Sequence, residues 1–181
     1  MDLPAELDTA RLHFRRPTTS DAAAVFSRFA ADVEVTRYLS WARHRSVGDT
    51  REFLEASDGE WDAHGTGPYL VFSREGVLSG ATGLHLETPY RASTGYALAR
   101  DAWGRGYATE VTRAMVALAW TIPRLARLYA LCHPQNVASA HVLEKAGFER
   151  EGLLRKYLVF PNLDSHEPSD VLVYGLVRES G

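Results

Sequence analysis

This 181-residue chain has little cysteine and no long apolar run. Its single cysteine, Cys132, excludes a disulfide within the chain and a cysteine-rich zinc site. No apolar run approaches the roughly 20 residues that a membrane-spanning helix needs. The first residues, M-D-L-P-A-E-L-D, are acidic and lack the basic and then apolar order of a signal peptide. We therefore predict a cytoplasmic protein that has no membrane partner.

An excess of basic residues is also absent. Lys and Arg number 20 and Asp and Glu number 23, which gives a net charge of −3. Nucleic-acid binders usually gather a surplus of Lys and Arg on one face, so we expect no nucleic-acid partner. The seven histidines are scattered without the H-E-x-x-H spacing of a zinc site, and no metal is expected. The apolar fraction of 45% suffices for the core of one domain, predicted to span residues 1–181.

Strand and helix patterns follow one another along the chain. Apolar residues predict strands at Arg11–Arg15, Pro68–Ser73, Gly76–Leu86, Thr94–Ala99, Arg127–Cys132, Gly152–Phe160 and Val171–Val177. Apolar residues at helical spacing predict helices after Asp21, over Val47–Glu60, from Ala108 onwards and between Asn136 and Gly147. The early strands are typical of an antiparallel hairpin, whereas the later ones alternate with helices. The sequence therefore predicts a mixed sheet with helices on its faces.

The stretch W-G-R-G-Y-A-T-E, Trp103 to Glu110, joins a predicted strand to a predicted helix. The first N–H groups of a helix have no partner within it, and together with the peptide dipoles they form an anion site. Gly104 and Gly106 remove two side chains, so a diphosphate can approach the main chain closely, and Arg105 can reach the same anion. The dinucleotide fingerprint and the Walker loop are both excluded, because a third glycine and a G-K-[ST] sequence are missing. The alternative to a diphosphate-binding loop is an ordinary surface turn that contains two glycines.

Two longer segments resemble the GNAT superfamily of acyl-CoA N-acyltransferases. They are Y-A-L-A-R-D-A-W-G-R-G-Y-A-T-E (Tyr96–Glu110) and N-V-A-S-A-H-V-L-E-K-A-G-F (Asn136–Phe148). Two others, Leu7–Pro17 and Val35–Trp41, resemble the branch of that superfamily that acetylates the N-termini of ribosomal proteins. The likeness covers nearly the whole chain. It implies a GNAT-like α/β fold, with a mixed, mostly antiparallel central sheet flanked by helices, and an acetyl-CoA-dependent N-acetyltransferase.

The resemblance also implies how coenzyme A is held. The N–H groups from Arg105 to Ala108 cradle its pyrophosphate, and the strand Tyr96–Leu98 pairs through its backbone with the pantetheine arm. Gly106 and Ala108 fit the last two positions of the superfamily loop, whereas Trp103 stands where Gln or Arg is usual. The residues implied to contact acetyl-CoA are Tyr96, Ala97, Leu98, Trp103, Gly104, Arg105, Gly106, Tyr107, Ala108, Thr109, Asn136 and Ser139.

Acetyl transfer to an amine needs a neutral amine, a donor for the developing oxyanion and a group that stabilises the departing thiolate. The resemblance implies that the N–H of Leu98 is the oxyanion donor and that Ser139 faces the sulfur. Helix capping or a surface position is the alternative role for Ser139. Leu143 stands where many superfamily members have a tyrosine acid and cannot serve that purpose. The base is not identified; its candidates are Glu34, His85, Glu87 and His166.

The kind of amine that accepts the acetyl group is inferred from how much of each amine is neutral. An α-amine with a pKa of about 7.8 is about one-third neutral at pH 7.5, whereas lysine is neutral about once in a thousand. This favours the N-terminal α-amine of a peptide or protein, with Glu34, Tyr38, Trp41 and Glu87 expected to line its pocket.

Other acceptors and another class of protein remain open. A small amine such as a polyamine, amino sugar or antibiotic is favoured if the acidic residues of Asp32–Asp62 crowd the cleft. A non-catalytic coenzyme A-binding module is the third possibility, because no base and no tyrosine acid are evident. The sequence is compatible with a monomer and with a homodimer.

Overall fold

A computed structural model describes residues 3–165 and 167–179, so the candidate base His166 lies outside the described residues. Eight strands are present in this part of the chain. They are β1 (Glu6–Asp8), β2 (Leu12–Arg15), β3 (Pro68–Ser73), β4 (Leu78–Thr88), β5 (Arg91–Leu98), β6 (Arg127–Cys132), β7 (Glu149–Leu158) and β8 (Ser169–Val177). They form one sheet in the order β1-β2-β3-β4-β5-β6-β8-β7. Every neighbouring pair is antiparallel except β5 and β6, which confirms the predicted mixed, mostly antiparallel sheet.

The helices connect these strands and cover both faces of the sheet. They are α1 (Ala22–Val25, continued by a π-helical segment at Phe26–Ala30), α2 (Val33–Thr36), α3 (Val47–His64), α4 (Tyr107–Ala119) and α5 (Val137–Lys145). Side chains alternate between the two faces along a strand, so β5 contributes to two separate cores. Leu98 packs in the core that holds α4, whereas Ala97 and Ala99 pack in the core that holds α1 and α2.

The neighbouring strands β5 and β6 pair only at their beginnings. Their parallel register joins Arg91–Ser93 of β5 to Arg127–Tyr129 of β6. Beyond these residues β5 continues to Leu98 beside β4, and β6 continues to Cys132 beside β8. The strands therefore diverge, and a gap opens in the middle of the sheet between their carboxyl ends.

Gly80 of β4 allows the close approach of β4 to the end of β5. It lies opposite Leu98 and has a φ of +155°. A Cβ atom at this position would lie 2.2 Å from the carbonyl oxygen of Ala97. Because that oxygen belongs to the backbone of the neighbouring strand, it cannot move aside as a flexible side chain would. Gly80 therefore fixes the distance between the two strands at the edge of the gap.

We expect Gly80→Ala to lower the free energy of unfolding by about 2 kcal/mol, because overpacking forces the strands apart. Gly59→Ala in α3 is the matched control, since a Cβ atom there meets nothing within 4 Å. In a helix interior this control change stabilises by up to about 1 kcal/mol. Urea unfolding followed by circular dichroism measures both variants. Equal stabilities of Gly80→Ala and the parent protein would contradict the close approach.

Candidate active site

A cavity of about 1060 Å³ occupies the gap between β5 and β6. Its walls are the diverging ends of these two strands, the start of α4 and the first turns of α5. The segment around α2 and two residues near the end of β7, Leu158 and Phe160, close its other end. The cavity thus runs from the beginning of α4, through the sheet, to the face that carries α2.

The edge of β5 offers unpaired backbone groups to this cavity. The N–H of Ala99 donates to the carbonyl oxygen of Ser79 at 2.9 Å, and Gly80 lies opposite Leu98. Hydrogen-bonded and non-hydrogen-bonded pairs alternate in an antiparallel ladder. Leu98 and Tyr96 therefore direct their N–H and C=O groups away from β4 and into the gap. A ligand with amide groups can pair with this edge as an additional strand would.

The loop after β5 ends at a helix start that also faces the cavity. Gly104 and Gly106 have left-handed φ values of 70° and 76°, and Gly106 is the residue that precedes α4. Gly106 has no side chain that could cap the first N–H groups of α4, so these groups remain available to an anion. The loop and first-turn residues that line the cavity are Trp103, Gly104, Gly106, Tyr107, Ala108 and Thr109.

Two residues of this loop, Arg105 and Trp103, were expected to contact the coenzyme, but their side chains make contacts within the protein. The side chain of Arg105 does not line the cavity but lies over the ring of Tyr107, with Cζ 4.7 Å from the ring centroid. The indole Nε1–H of Trp103 donates to the carbonyl oxygen of Leu98 at 2.8 Å. Trp103 therefore occupies one backbone acceptor at the edge of β5, and the Leu98 N–H beside it is left facing the gap.

Ser139 lies in the first turn of α5, where two interactions position it. The side-chain oxygen of Asn136 accepts from the backbone N–H of Ser139 at 3.2 Å, which makes Asn136 the cap of α5. The hydroxyl of Tyr96 donates to Ser139 Oγ at 3.4 Å. Burial raises the pKa of Tyr96 above its ordinary value, so the phenol keeps its proton at neutral pH. The sequence indicated only the backbone of Tyr96; the side chain was missed because its neighbour lies on a distant helix.

The cavity end near α2 is lined by aromatic rings. Tyr38 stacks on His133 with ring centroids 4.8 Å apart, and His133 meets Phe160 edge-on at 4.8 Å. Burial and then the charge of Arg37 lower the pKa of His133, so its imidazole is neutral at pH 7. Its Nδ1 accepts from the backbone N–H of Gln135 at 3.2 Å. Sequence reasoning missed His133, which belongs to no motif; its one signal is a position directly after β6.

Of the four residues expected around the acceptor, Glu34 and Tyr38 line this end of the cavity, whereas Trp41 and Glu87 do not line the cavity. Trp41 packs against Phe53 and His44, with ring centroids 6.2 and 5.1 Å away.

The Glu87 carboxylate is occupied by other contacts. It accepts hydrogen bonds from Arg91 Nε, at 2.8 Å, and from the hydroxyl of Tyr129, which does line the cavity. Burial and then Glu87 raise the pKa of Tyr129 to about 12. Of this group, only Tyr129 lines the cavity, and Glu87 contacts it from behind.

The acidic segment Asp32–Asp62 does not crowd the cavity. Asp32 and Asp49 cap helices, and Asp58 and Asp62 both accept from Arg16. In the part of the chain that the structure describes, Glu34 is the one carboxylate that lines the cavity. Neither a metal-binding group of three or more His, Cys, Asp or Glu nor a helix long and apolar enough to cross a membrane occurs in residues 3–165 and 167–179.

Comparison with known proteins identifies the class to which this fold and cavity belong. The family model for the acetyltransferase (GNAT) domain matches residues 11–149, which is more than half of the chain. The chain therefore belongs to the GNAT acetyltransferase family and is an acetyl-transferring enzyme, an N-acetyltransferase. A non-catalytic module, considered from the sequence, is not supported by this membership.

Individual relatives agree with this class. The chain is 30% identical over 175 residues to the uncharacterized N-acetyltransferase YoaA of Bacillus subtilis (strain 168), covering 95% of this chain and 96% of the relative. It is 26% identical over 140 residues to an aminoglycoside N(6')-acetyltransferase type 1 of Klebsiella pneumoniae, and this match covers 76% of this chain and 59% of the relative. The structure of RimL, a ribosomal L7/L12 alpha-N-protein acetyltransferase in complex with coenzyme A, superposes with a TM-score of 0.81. That comparison covers 97% of each chain at 20% identity, so it supports the fold alone.

Proposed function

We propose that this enzyme transfers the acetyl group of acetyl-CoA to the N-terminal α-amine of a peptide or protein. The observation that carries the proposal is the unpaired edge of β5 in a cavity that continues to the start of α4. A coenzyme with a diphosphate at one end and two amides along its arm matches both parts of this cavity. The diphosphate fits the free N–H groups of α4, and the amides fit the edge at Tyr96 and Leu98.

The residues around the gap then have distinct roles in the transfer. The Leu98 N–H donates to the thioester oxygen as negative charge develops there during attack by the amine. A bond forms between the amine nitrogen and the acetyl carbon, and the bond from that carbon to sulfur breaks. The Ser139 hydroxyl gives its proton to the departing sulfur, and Tyr96 donates its own proton to Ser139 Oγ. The proton lost by the amine restores the phenol, so the amine loses one proton and the thiol gains one.

The lining of the acceptor end supports an α-amine rather than a polyamine. A polyamine is held best by several carboxylates, whereas Glu34 alone lines this end among the described residues. RimL, whose fold this chain shares, is an alpha-N-protein acetyltransferase. An amino sugar is the second candidate, because a relative at 26% identity acetylates aminoglycosides.

Matched acceptors distinguish these substrates. The enzyme is supplied with acetyl-CoA and, in four separate assays, with one acceptor each. The acceptors are a lysine-free peptide with a free N-terminus, an N-terminally blocked peptide that contains lysine, spermidine, and kanamycin. We expect thiol release to be at least about tenfold faster with the free N-terminus, since its amine is largely neutral near pH 8. Faster thiol release with spermidine or kanamycin would overturn the proposal of an α-amine acceptor. Release with none of them, despite binding of coenzyme A, would count against the α-amine proposal.

A side chain at Gly106 is expected to obstruct the diphosphate site. Gly106→Val places a branched residue at a φ of 76° and covers the first N–H groups of α4. Calorimetric titration with coenzyme A should show affinity reduced by about tenfold or more. The control is Gly152→Val, because Gly152 lies in β7 outside the cavity and its Cβ would meet nothing within 4 Å. Unchanged affinity of Gly106→Val would remove the loop from the coenzyme site.

Removal of the two hydroxyls is expected to slow the chemical step. Ser139→Ala and Tyr96→Phe should each lower kcat, by about 10- to 100-fold for Ser139→Ala, with little change in KM for acetyl-CoA. Because the two groups act in series, the double variant should be no slower than Ser139→Ala. Tyr174→Phe is the control, since Tyr174 is a buried phenol that donates to Glu144 and does not line the cavity. A Ser139→Ala enzyme as fast as the parent would exclude this proton route.

A further inference from the structure

The turn between β1 and β2 contacts the loop that precedes α4, although the two are far apart in the sequence. Glu110, in the first turn of α4, accepts from Thr9 Oγ1 at 2.6 Å and from the backbone N–H of Arg11 at 2.9 Å. Its second oxygen accepts from Arg11 Nε at 2.7 Å and lies 2.7 Å from Arg11 Nη2. Arg11 Nη1 in turn donates to the carbonyl oxygen of Arg105 at 2.8 Å. One arginine thus joins the helix start to the loop between the two glycines.

We propose that Arg11 and Glu110 are a positioning pair that holds the coenzyme loop in its anion-binding conformation. The proposal rests on the proposed function, because it assumes that this loop holds the diphosphate of coenzyme A. Neither residue lines the cavity, so both act through the loop backbone and not by contact with the ligand.

The bond to the Arg105 carbonyl orients one peptide group of the loop. In a trans peptide the C=O and the following N–H point in opposite directions. The Arg105 carbonyl faces Arg11, so the N–H of Gly106 points away from Arg11, and Gly106 is a residue that lines the cavity. Gly104 and Gly106 make this loop flexible in principle, since glycine has access to many backbone conformations. The guanidinium therefore selects one conformation that the glycines alone do not specify.

The pair also controls charge beside the anion site. Glu110 lies in the first turn of α4, where a free carboxylate would repel a bound diphosphate. Burial tends to raise its pKa, but hydrogen bonds from Thr9 and Arg11 outweigh this, and the pKa of Glu110 lies below its ordinary value. The carboxylate is therefore ionised at neutral pH and depends on Arg11 for neutralisation. Loss of Arg11 removes the orienting bond and leaves this negative charge unopposed.

Direct contact between Arg11 and a phosphate group is the competing account. The three nitrogen atoms of its guanidinium are already engaged, by Glu110 and by the Arg105 carbonyl. Its Cζ lies 5.0 Å from the centroid of the Tyr107 ring, and this ring is buried. The two accounts differ in what they require of Glu110. A positioning pair needs both partners, whereas a direct phosphate ligand binds better once Glu110 no longer competes for it.

The test is calorimetric titration of coenzyme A into Arg11→Met, Glu110→Gln and the double variant. We expect affinity to fall by about tenfold in Arg11→Met and by about threefold in Glu110→Gln, with the double variant no weaker than Arg11→Met. With 3′-dephospho-coenzyme A, which keeps the diphosphate, the same losses should appear. Equal or tighter binding by Glu110→Gln, or a loss that disappears without the 3′-phosphate, would overturn the positioning role.

Arg16→Met separates positioning from general stability. Arg16 follows β2 and donates to Asp58 and Asp62 of α3, so its loss loosens the same N-terminal segment without touching the loop. We expect a similar decrease in Tm for Arg16→Met and Arg11→Met, but unchanged coenzyme affinity for Arg16→Met. Equal losses of affinity in both variants would refute the proposal.

Kinetics provide a second readout, and the parent protein provides the reference. Arg11→Met should raise KM for acetyl-CoA by about tenfold with kcat at saturation nearly unchanged, because the groups at the reacting atoms are intact. A selective loss in kcat would contradict the inference.

If the parent protein itself does not bind coenzyme A, the proposed function fails; if it binds and Arg11→Met binds equally well, this inference alone fails.

Discussion

The divergence of β5 from β6 is the feature on which the rest of the candidate site depends. The two strands pair at Arg91–Ser93 and then separate, each held by its other neighbour in the sheet. A strand edge in the middle of a sheet exposes N–H and C=O groups that cannot stay unpaired without a free-energy penalty. In this chain Trp103 satisfies one of them, at Leu98, and the remaining groups face a cavity. The same break in pairing that weakens the sheet thus creates a surface for an extended ligand with amide groups.

Topology brings the other chemical groups to the same place. Because β5 and β6 are parallel, their carboxyl ends lie at the same side of the sheet, and the helices that follow them begin there. Helix α4 follows β5 and offers free N–H groups at Gly106, while α5 follows β6 and presents Ser139 in its first turn. The uncapped helix start, the strand edge and the hydroxyl therefore meet without any long-range motif in the sequence.

Those parts of the structure that depend on local pattern were predictable from the sequence. The helix after Ala108 is found at Tyr107–Ala119, and the strand predicted at Arg127–Cys132 is β6. Features that depend on contacts between distant residues were not predictable. The three-residue strand β1 has no periodicity to detect, and the partner of the Tyr96 hydroxyl lies on another element. Trp41 was expected to line the acceptor pocket together with Tyr38, but it packs against Phe53 and His44.

Charge at the proposed acceptor end of the cavity bears on how an amine can be selected there. Arg37 lies beside a neutral His133, and Glu34 is the opposing carboxylate in the described lining. Such a mixture has little net attraction for a polycation, so ammonium groups gain little by entering. Under the proposed function, selection falls on amines that are already neutral in solution, and an α-amine meets this condition far more often than lysine at the same pH. The weak field of this pocket therefore supports the proposed α-amine acceptor, which needs less help from a base than lysine because more of it is already deprotonated.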